Sequence, residues 1–252
     1  MSSTMLQLVQ QMAGEIGLTV PNSVAGNASA DTVQQLALLN GLGNELQREY
    51  DWQGINKEYR FYTQFLNATG NTTANGTTIT NLSASTGLDS TYQVSGTGIN
   101  QDTYVTTLDS STQVTISQAA TSTGTGTSFV FGKTKYSMPS DFDRQVNRTH
   151  FDKSKRWEML GPESAQQWQW LKSSYISTGP RIRYRILGGY LQTWPILSTA
   201  EYIGFEYISN AWATSATGTV KSSFTVDTDT CIFPARLMVT GLKLKYFEIK
   251  GF

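Results

Sequence analysis

The residues best placed to do chemistry are three arginines, two aspartates, one histidine and one cysteine. Arg181, Arg183 and Arg185 alternate with Ile182 and Tyr184. In an extended strand that alternation puts three guanidinium groups on one face. Such a row can contact phosphates, pair with a partner's carboxylates, or stand as a solvated strand face. Asp141 and Asp143 lie two apart in the run PSDFD. They are paired carboxylates, or, more simply, turn and capping residues. His150 has no acid or nucleophile near it at catalytic spacing, so it reads as a structural or surface histidine. Cys231 sits among apolar residues and reads as a small core residue. One histidine excludes a multi-His metal centre, and one cysteine excludes a disulfide framework or a cysteine-based zinc site. No GxxxxGK[ST] phosphate loop occurs, and neither Gly-Thr-Gly fragment opens a helical pattern. The expectation is a protein that is not an enzyme and that holds no metal or cofactor.

The chain has 252 residues, with 19 basic and 19 acidic side chains and no formal net charge. Zero net charge argues against tight nonspecific nucleic-acid binding by the free monomer. No apolar run is long enough to span a membrane. The first 17 residues lack the basic start and apolar stretch of a signal peptide. The charged fraction is 15%, well below the usual quarter. The deficit is local: residues 68–132 contain no Lys or Arg but hold 18 threonines. The chain therefore reads as two compositional units, a core of 1–67 and 133–252 and an insert of 68–132.

Elements must position these residues. Met5, Leu8, Val9, Met12 and Ile16 recur at helical spacing behind Thr4, a candidate N-cap. A second helix is expected over about 32–49, capped by Asp31, with Val33, Leu36, Leu39 or Asn40, Gly43 and Leu46 along its inward line. Gly41 and Gly43 within it either admit a close neighbour or merely weaken it. Residues 57–66 alternate as a strand, and 135–138 looks like its partner. Phe151 to Leu160 reads as strand, turn, strand. A third helix is expected to start at Pro162 and to carry Ala165, Trp168 and Leu171. Residues 181–194 read as a hairpin, with Gly188 and Gly189 supplying the positive φ of a tight turn. A last helix is expected from Pro234, with Leu237, Met238, Gly241, Leu242, Lys245 and Ile249 on one side. Its pattern is still running at Phe252.

The insert carries short β-rich runs at 77–82, 91–95, 103–108, 112–117 and 127–131, separated by turn residues. That spacing suggests a small all-β sandwich or barrel, immunoglobulin-like in scale. A disordered Thr/Ser linker is the competing reading. The fold expected is α+β: a bundle of N- and C-terminal helices with small β-sheets, plus an inserted all-β module.

Six segments carry a resemblance. LNGLGNELQREYDWQ (39–53), MPSDFDRQVNRTHFD (138–152), GPESAQQWQWLKS (161–173), GPRIRYRILGGYLQTWP (179–195), FEYIS (205–209) and FTVDTDTCIFPARLMVTGLKLKYF (224–247) resemble, in that order, the head-to-tail adaptor (connector) proteins of tailed bacteriophages of the tail tubular protein A type. The resemblance implies a structural virion protein at the head–tail junction, assembled in the host bacterial cytoplasm. It implies a homo-oligomeric ring, dodecameric in that family, that joins the portal protein to a tail or nozzle protein, with double-stranded DNA passing through the lumen. Under it, Arg181, Arg183 and Arg185 are candidates for the lumen or subunit interface. Pro234, Leu237, Leu242, Lys243, Lys245 and Lys250 are candidates for portal docking. The Thr-rich insert departs from the compact adaptors. It supports an alternative, a surface-displayed carbohydrate-binding module, for which Trp157, Trp168, Trp170, Trp194 and Trp212 offer stacking capacity.

Overall fold

The computed structural model describes residues 3–173 and 179–251. In chain order the elements are α1 (Met5–Glu15), α2 (Ala30–Glu49), β1 (Asn56–Tyr62), β2 (Phe65–Thr72), β3 (Thr78–Thr80), β4 (Tyr92–Gly96), β5 (Val105–Ser110), β6 (Gln113–Ile116), β7 (Gly124–Lys133) and β8 (Lys135–Ser137). They continue with β9 (Phe142–Gln145), β10 (Phe151–Asp152), β11 (Trp157–Glu158), α3 (Ala165–Ser173), β12 (Arg183–Leu187), β13 (Tyr190–Trp194), β14 (Tyr202–Ser209), β15 (Ala213–Thr214), β16 (Val220–Lys221), β17 (Thr230–Cys231) and α4 (Ala235–Lys250). Contacts divide the chain into two units. One holds residues 1–57, 140–145 and 206–252; the other holds 58–139 and 146–205.

The first unit contains α1, α2, α4 and the antiparallel sheet β16-β15-β17. Thr4 caps α1 with a full capping box: its hydroxyl accepts from the Gln7 N–H, and the Gln7 side chain accepts from the Thr4 N–H. Met5, Leu8, Val9 and Met12 are buried, each contributing roughly 1.5–3 kcal/mol. Helix α2 turns a different face inward from the one its apolar residues suggest. It buries Thr32, Gln35, Leu39, Leu42, Gly43 and Gln47 and leaves Val33 54% exposed. Its N-cap is Ser29, not Asp31.

The two glycines of α2 separate cleanly. A Cβ on Gly41 would meet nothing, whereas one on Gly43 would fall 2.3 Å from the buried Trp212 ring. Trp212 also donates its indole N–H to Asn44 Oδ1 at 2.9 Å and packs edge-on against Phe224 at 5.0 Å. Replacing Gly43 with alanine is expected to force this tryptophan aside and cost about 1–3 kcal/mol. Replacing Gly41 with alanine is expected to stabilise slightly, by helix propensity alone. Paired thermal melts of the two variants check both.

The second unit is mostly β. Strands β2 to β7 form a six-stranded antiparallel sheet in the order β4-β7-β2-β3-β6-β5. Its two edges meet at a bridge between Gln93 and Tyr104, where Val94 N–H donates to Thr103 O at 2.9 Å. The sheet so curls around a core of Ile79, Val94, Val105, Val114, Ile116, Phe129 and Phe131. The alternation of Val114 with Ile116 and of Phe129 with Phe131 sets that inward face. A second sheet runs β12-β13-β8. Strand β8 therefore pairs with β13 and not with β1, correcting the expected partner.

The expected helical bundle with an inserted module is overturned. Strand residues make up 33% of the chain against 24% helix, in several small antiparallel sheets. The physical reason lies in α2, whose buried face is half polar. Trp212 from a β-rich segment packs at Gly43 on that face, and Phe224 and Phe233 pack against the Trp212 ring. The Thr-rich residues likewise fold within a larger unit. A Cβ on Gly132 would lie 2.5 Å from Ile196, and Lys172 on α3 pairs with Asp102 at 3.0 Å.

Candidate interaction surfaces

The three arginines of the hairpin have different fates. Residues 160–163 run beside β12: Leu160 N–H donates to Ile182 O at 2.8 Å, Tyr184 N–H to Leu160 O at 2.9 Å, and Glu163 N–H to Tyr184 O at 3.0 Å. This ladder needs Gly161, because a Cβ there would sit 2.4 Å from the Tyr184 carbonyl oxygen. It also uses the residues expected to start α3, so that helix begins at Ala165, with Ser164 Oγ accepting from the Gln167 N–H. The result is that Glu163 lies 2.5 Å from Arg183 Nη1. Arg183 is spent on this pair.

Arg183 and Trp194 are directly opposite in the β12–β13 register, so they share a face. Trp194 packs with Trp168 and Leu171 of α3. The inner end of the arginine face is thus covered. Arg181 and Arg185 have no ion-pair partner among the described residues, and Arg181 is exposed. Leu187 and Tyr190, beside the Gly188-Gly189 turn, are exposed as well. Both glycines have positive φ, 62° and 79°.

On α4 the buried residues are Met238, Val239, Leu242 and Tyr246. Gly241 lets α2 come close, since a Cβ there would fall 2.8 Å from Leu42. Of the portal-docking candidates, Leu242 is wholly buried and Pro234 is the N-cap. Lys243 pairs with Glu15 at 2.5 Å, Lys245 with Glu45 at 2.6 Å and Lys250 with Asp31 at 3.6 Å. The lysines therefore tie α4 to α1 and α2 within the unit. Leu237 is 37% exposed and Leu244 is 60% exposed. At 100° per residue these two lie about 20° apart, opposite the buried face. The sequence held that pair in plain view, but the lysines drew attention away from it.

The other candidates for chemistry are structural. Asp141 accepts from Lys57, Tyr207 and Ser209. Burial alone would raise its pKa, but these donors hold it below the usual range. Asp143 accepts from Arg144 and Gln47. His150 is buried with its ring stacked on Tyr184 and Phe205. Cys231 is buried, which pushes its thiol up to about 11. A cleft of about 680 Å³ includes Lys57, Asp141, Tyr207, Lys221 and Thr225 in its lining. Its two lysines are each satisfied, by Asp141 and Asp229. No group of three or more metal-ligating side chains occurs among the described residues. No described helix is long and apolar enough to cross a membrane.

Of the five tryptophans offered for sugar stacking, Trp168, Trp194 and Trp212 are buried core. Trp157 and Trp170 are exposed but lie outside the Thr-rich segment. A groove of about 530 Å³ on that segment's sheet is lined by Asn67, Thr69, Ser83 and Ser128, and its one ring, Phe129, is buried. No family model matches the chain, and no curated protein matches its sequence.

Proposed function

We propose that this chain is a non-enzymatic structural subunit of a tailed-phage head–tail junction. It assembles as a homo-oligomeric, dodecameric ring between a portal protein and a tail or nozzle protein, with double-stranded DNA in the lumen. The observation that carries the reading is the pair of exposed leucines Leu237 and Leu244 on one side of α4, on the segment assigned to docking. Monomeric proteins seldom leave such residues aligned without a use. The ordered run of six adaptor-like segments supports the same reading. So does the way Asp141, Asp143, Asp229, His150 and Cys231 are each committed to packing or structural bonds.

The test is the native mass of the purified chain, alone and after mixing with the portal ring encoded beside it. A ring's worth of subunits is expected to add to the portal. The Leu244→Glu variant should keep its fold, because that side chain lies mostly in solvent. It should bind portal at least tenfold more weakly, since burying an unpaired carboxylate in an apolar contact costs well over 1.4 kcal/mol. A chain that stays monomeric and unbound sinks the proposal.

A further inference from the structure

The β12-β13-β8 sheet buries one face and leaves most of the other open. Tyr184, Leu191, Thr193 and Tyr136 lie on the inward face and are buried. The register fixes what shares the outward face. Leu187, Tyr190 and Ser137 stand directly opposite one another across the three strands, and Arg185, Gln192 and Lys135 form the next row. The row beyond holds Arg183 and Trp194, already committed to Glu163 and to α3. Two open rows remain, and they contain no carboxylate. Arg185 and Lys135 are both partly exposed, and neither has an ion-pair partner among the described residues. Tyr190 keeps 37% of its surface in solvent. Lys135 Nζ lies 5.5 Å from the centre of the Tyr104 ring, itself 41% exposed, so a second open ring borders the cationic row.

Two strand spacings separate the backbones of Arg185 and Lys135, about 10 Å. Two cations at that distance with no acid between them draw a polyanion. The chain is neutral overall, but its charge is uneven: the unit that carries this face holds 11 of the 19 basic side chains and 8 of the 19 acidic ones. An acidic peptide would meet the cations and give the two rings no partner. A nucleic-acid duplex would supply phosphates, but its bases are stacked inside and cannot reach a ring. A single strand supplies both, phosphates for the cations and unstacked bases for the rings. Each base has a flat π-face, so the two tyrosines can take it whatever the sequence.

We propose that the outward face of this sheet binds single-stranded nucleic acid. Arg185 and Lys135 meet its phosphates, and Tyr190 and Tyr104 stack on its bases. The inference stands independently of the adaptor reading, which needs a channel for duplex DNA and no site for a single strand.

The probe is a fluorescein-labelled ten-residue oligothymidylate, titrated with the full chain and followed by fluorescence anisotropy over a series of salt concentrations. Saturable binding is expected, with log Kd rising against log salt at a slope of about 1.4, the value for two phosphate contacts on a single strand. Arg185→Gln and Lys135→Gln should each weaken binding and halve that slope. Tyr190→Ala and Tyr104→Ala should each weaken it at least fivefold and leave the slope unchanged, a split that loss of charge alone would not give. Arg236→Gln, which removes an exposed charge from the other unit, should change nothing. All these side chains reach solvent, and matching thermal melts would show that the variants fold. Absence of saturable binding at low salt would overturn the proposal. So would binding that the tyrosine variants keep in full, equal affinity for a ten-pair duplex, or equal displacement by a ten-residue polyglutamate, which would make the face a site for an acidic protein segment.

Discussion

Replacing Asp229 with alanine is expected to lower the stability of its unit by about 3–5 kcal/mol, the largest loss from any single substitution discussed here. The carboxylate is fully buried. It accepts from Lys221 Nζ at 2.9 Å on both oxygens and from the N–H groups of Thr225 and Val226 at 2.8 and 2.9 Å. The same residue's carbonyl accepts the Met5 N–H at 2.7 Å, and Thr230 bridges to Thr4. Asp227 adds a parallel tie, its carboxylate taking the Val24 and Ala25 N–H groups. The stretch 225–230 thus fastens α1 and the loop after it. Removing the Asp229 side chain strands two amides and an ammonium that is mostly out of water. Because Lys221 keeps some solvent contact, the Asp229→Ala, Lys221→Met double variant should recover only part of the loss. A double-mutant cycle by chemical denaturation measures that part. The pH dependence has a definite sign. Burial alone would raise the Asp229 pKa, but Lys221 and the two amides hold it below the ordinary 3.8. Its contribution is therefore complete above that value and is lost as pH falls below it. A variant whose stability matches the parent at neutral pH would refute this account.

None of that network was legible in the sequence, although its residues were. Local signals were read correctly where neighbours in sequence are neighbours in space. The Thr4 N-cap, the Gly188-Gly189 turn and the inward pairs of the Thr-rich strands all obey short-range rules. What failed required partners distant along the chain. Helix α2 turns Gln35 and Gln47 inward and Val33 outward because Trp212 and the residues around it claim its Gly43 face. Strand β8 follows the register of β13, 55 or so residues later. Arg183 reads as one of three equivalent charges until Glu163 is delivered to it by a loop laid alongside β12. The lysines of α4 look like a docking surface until Glu15, Glu45 and Asp31 are folded beneath them. Charge on a helix says where water or an ion pair will be, and only the fold decides which. The exposed leucines are informative for the opposite reason: once the inward face of α4 is known, Leu237 and Leu244 are left on the side turned away from it.

The single histidine is expected to make its unit acid-sensitive between pH 6.5 and about 4. His150 is 1% exposed, sandwiched with ring centroids 4.0 Å from Tyr184 and 4.6 Å from Phe205. Neither ring nitrogen has a hydrogen-bond partner among the described residues. The site therefore offers a proton nothing to stabilise it, and burial lowers the pKa from 6.5 to about 4. In that window the unfolded chain binds a proton that the native chain refuses, so stability falls as pH falls. The gap between the two values corresponds to roughly 3 kcal/mol by pH 4. Other groups titrate nearby. Burial raises Asp152, whereas Glu201, where Lys155 outweighs burial, and Glu58, held by Arg60 and Lys153 at about 2, are lowered. The raw pH profile mixes their terms, and a difference between variants isolates the histidine. His150→Phe keeps a flat ring in the stack and deletes two unsatisfied nitrogens. It should match or exceed the parent's stability at pH 7.5, where the parent histidine is neutral in both states. The two curves should run parallel above pH 6.5 and diverge steadily below it, the parent falling faster. Urea midpoints at half-unit pH steps measure the divergence. Parallel curves down to pH 4 would mean that the native fold protonates His150 freely, and the buried, unpartnered stack described here would then be wrong.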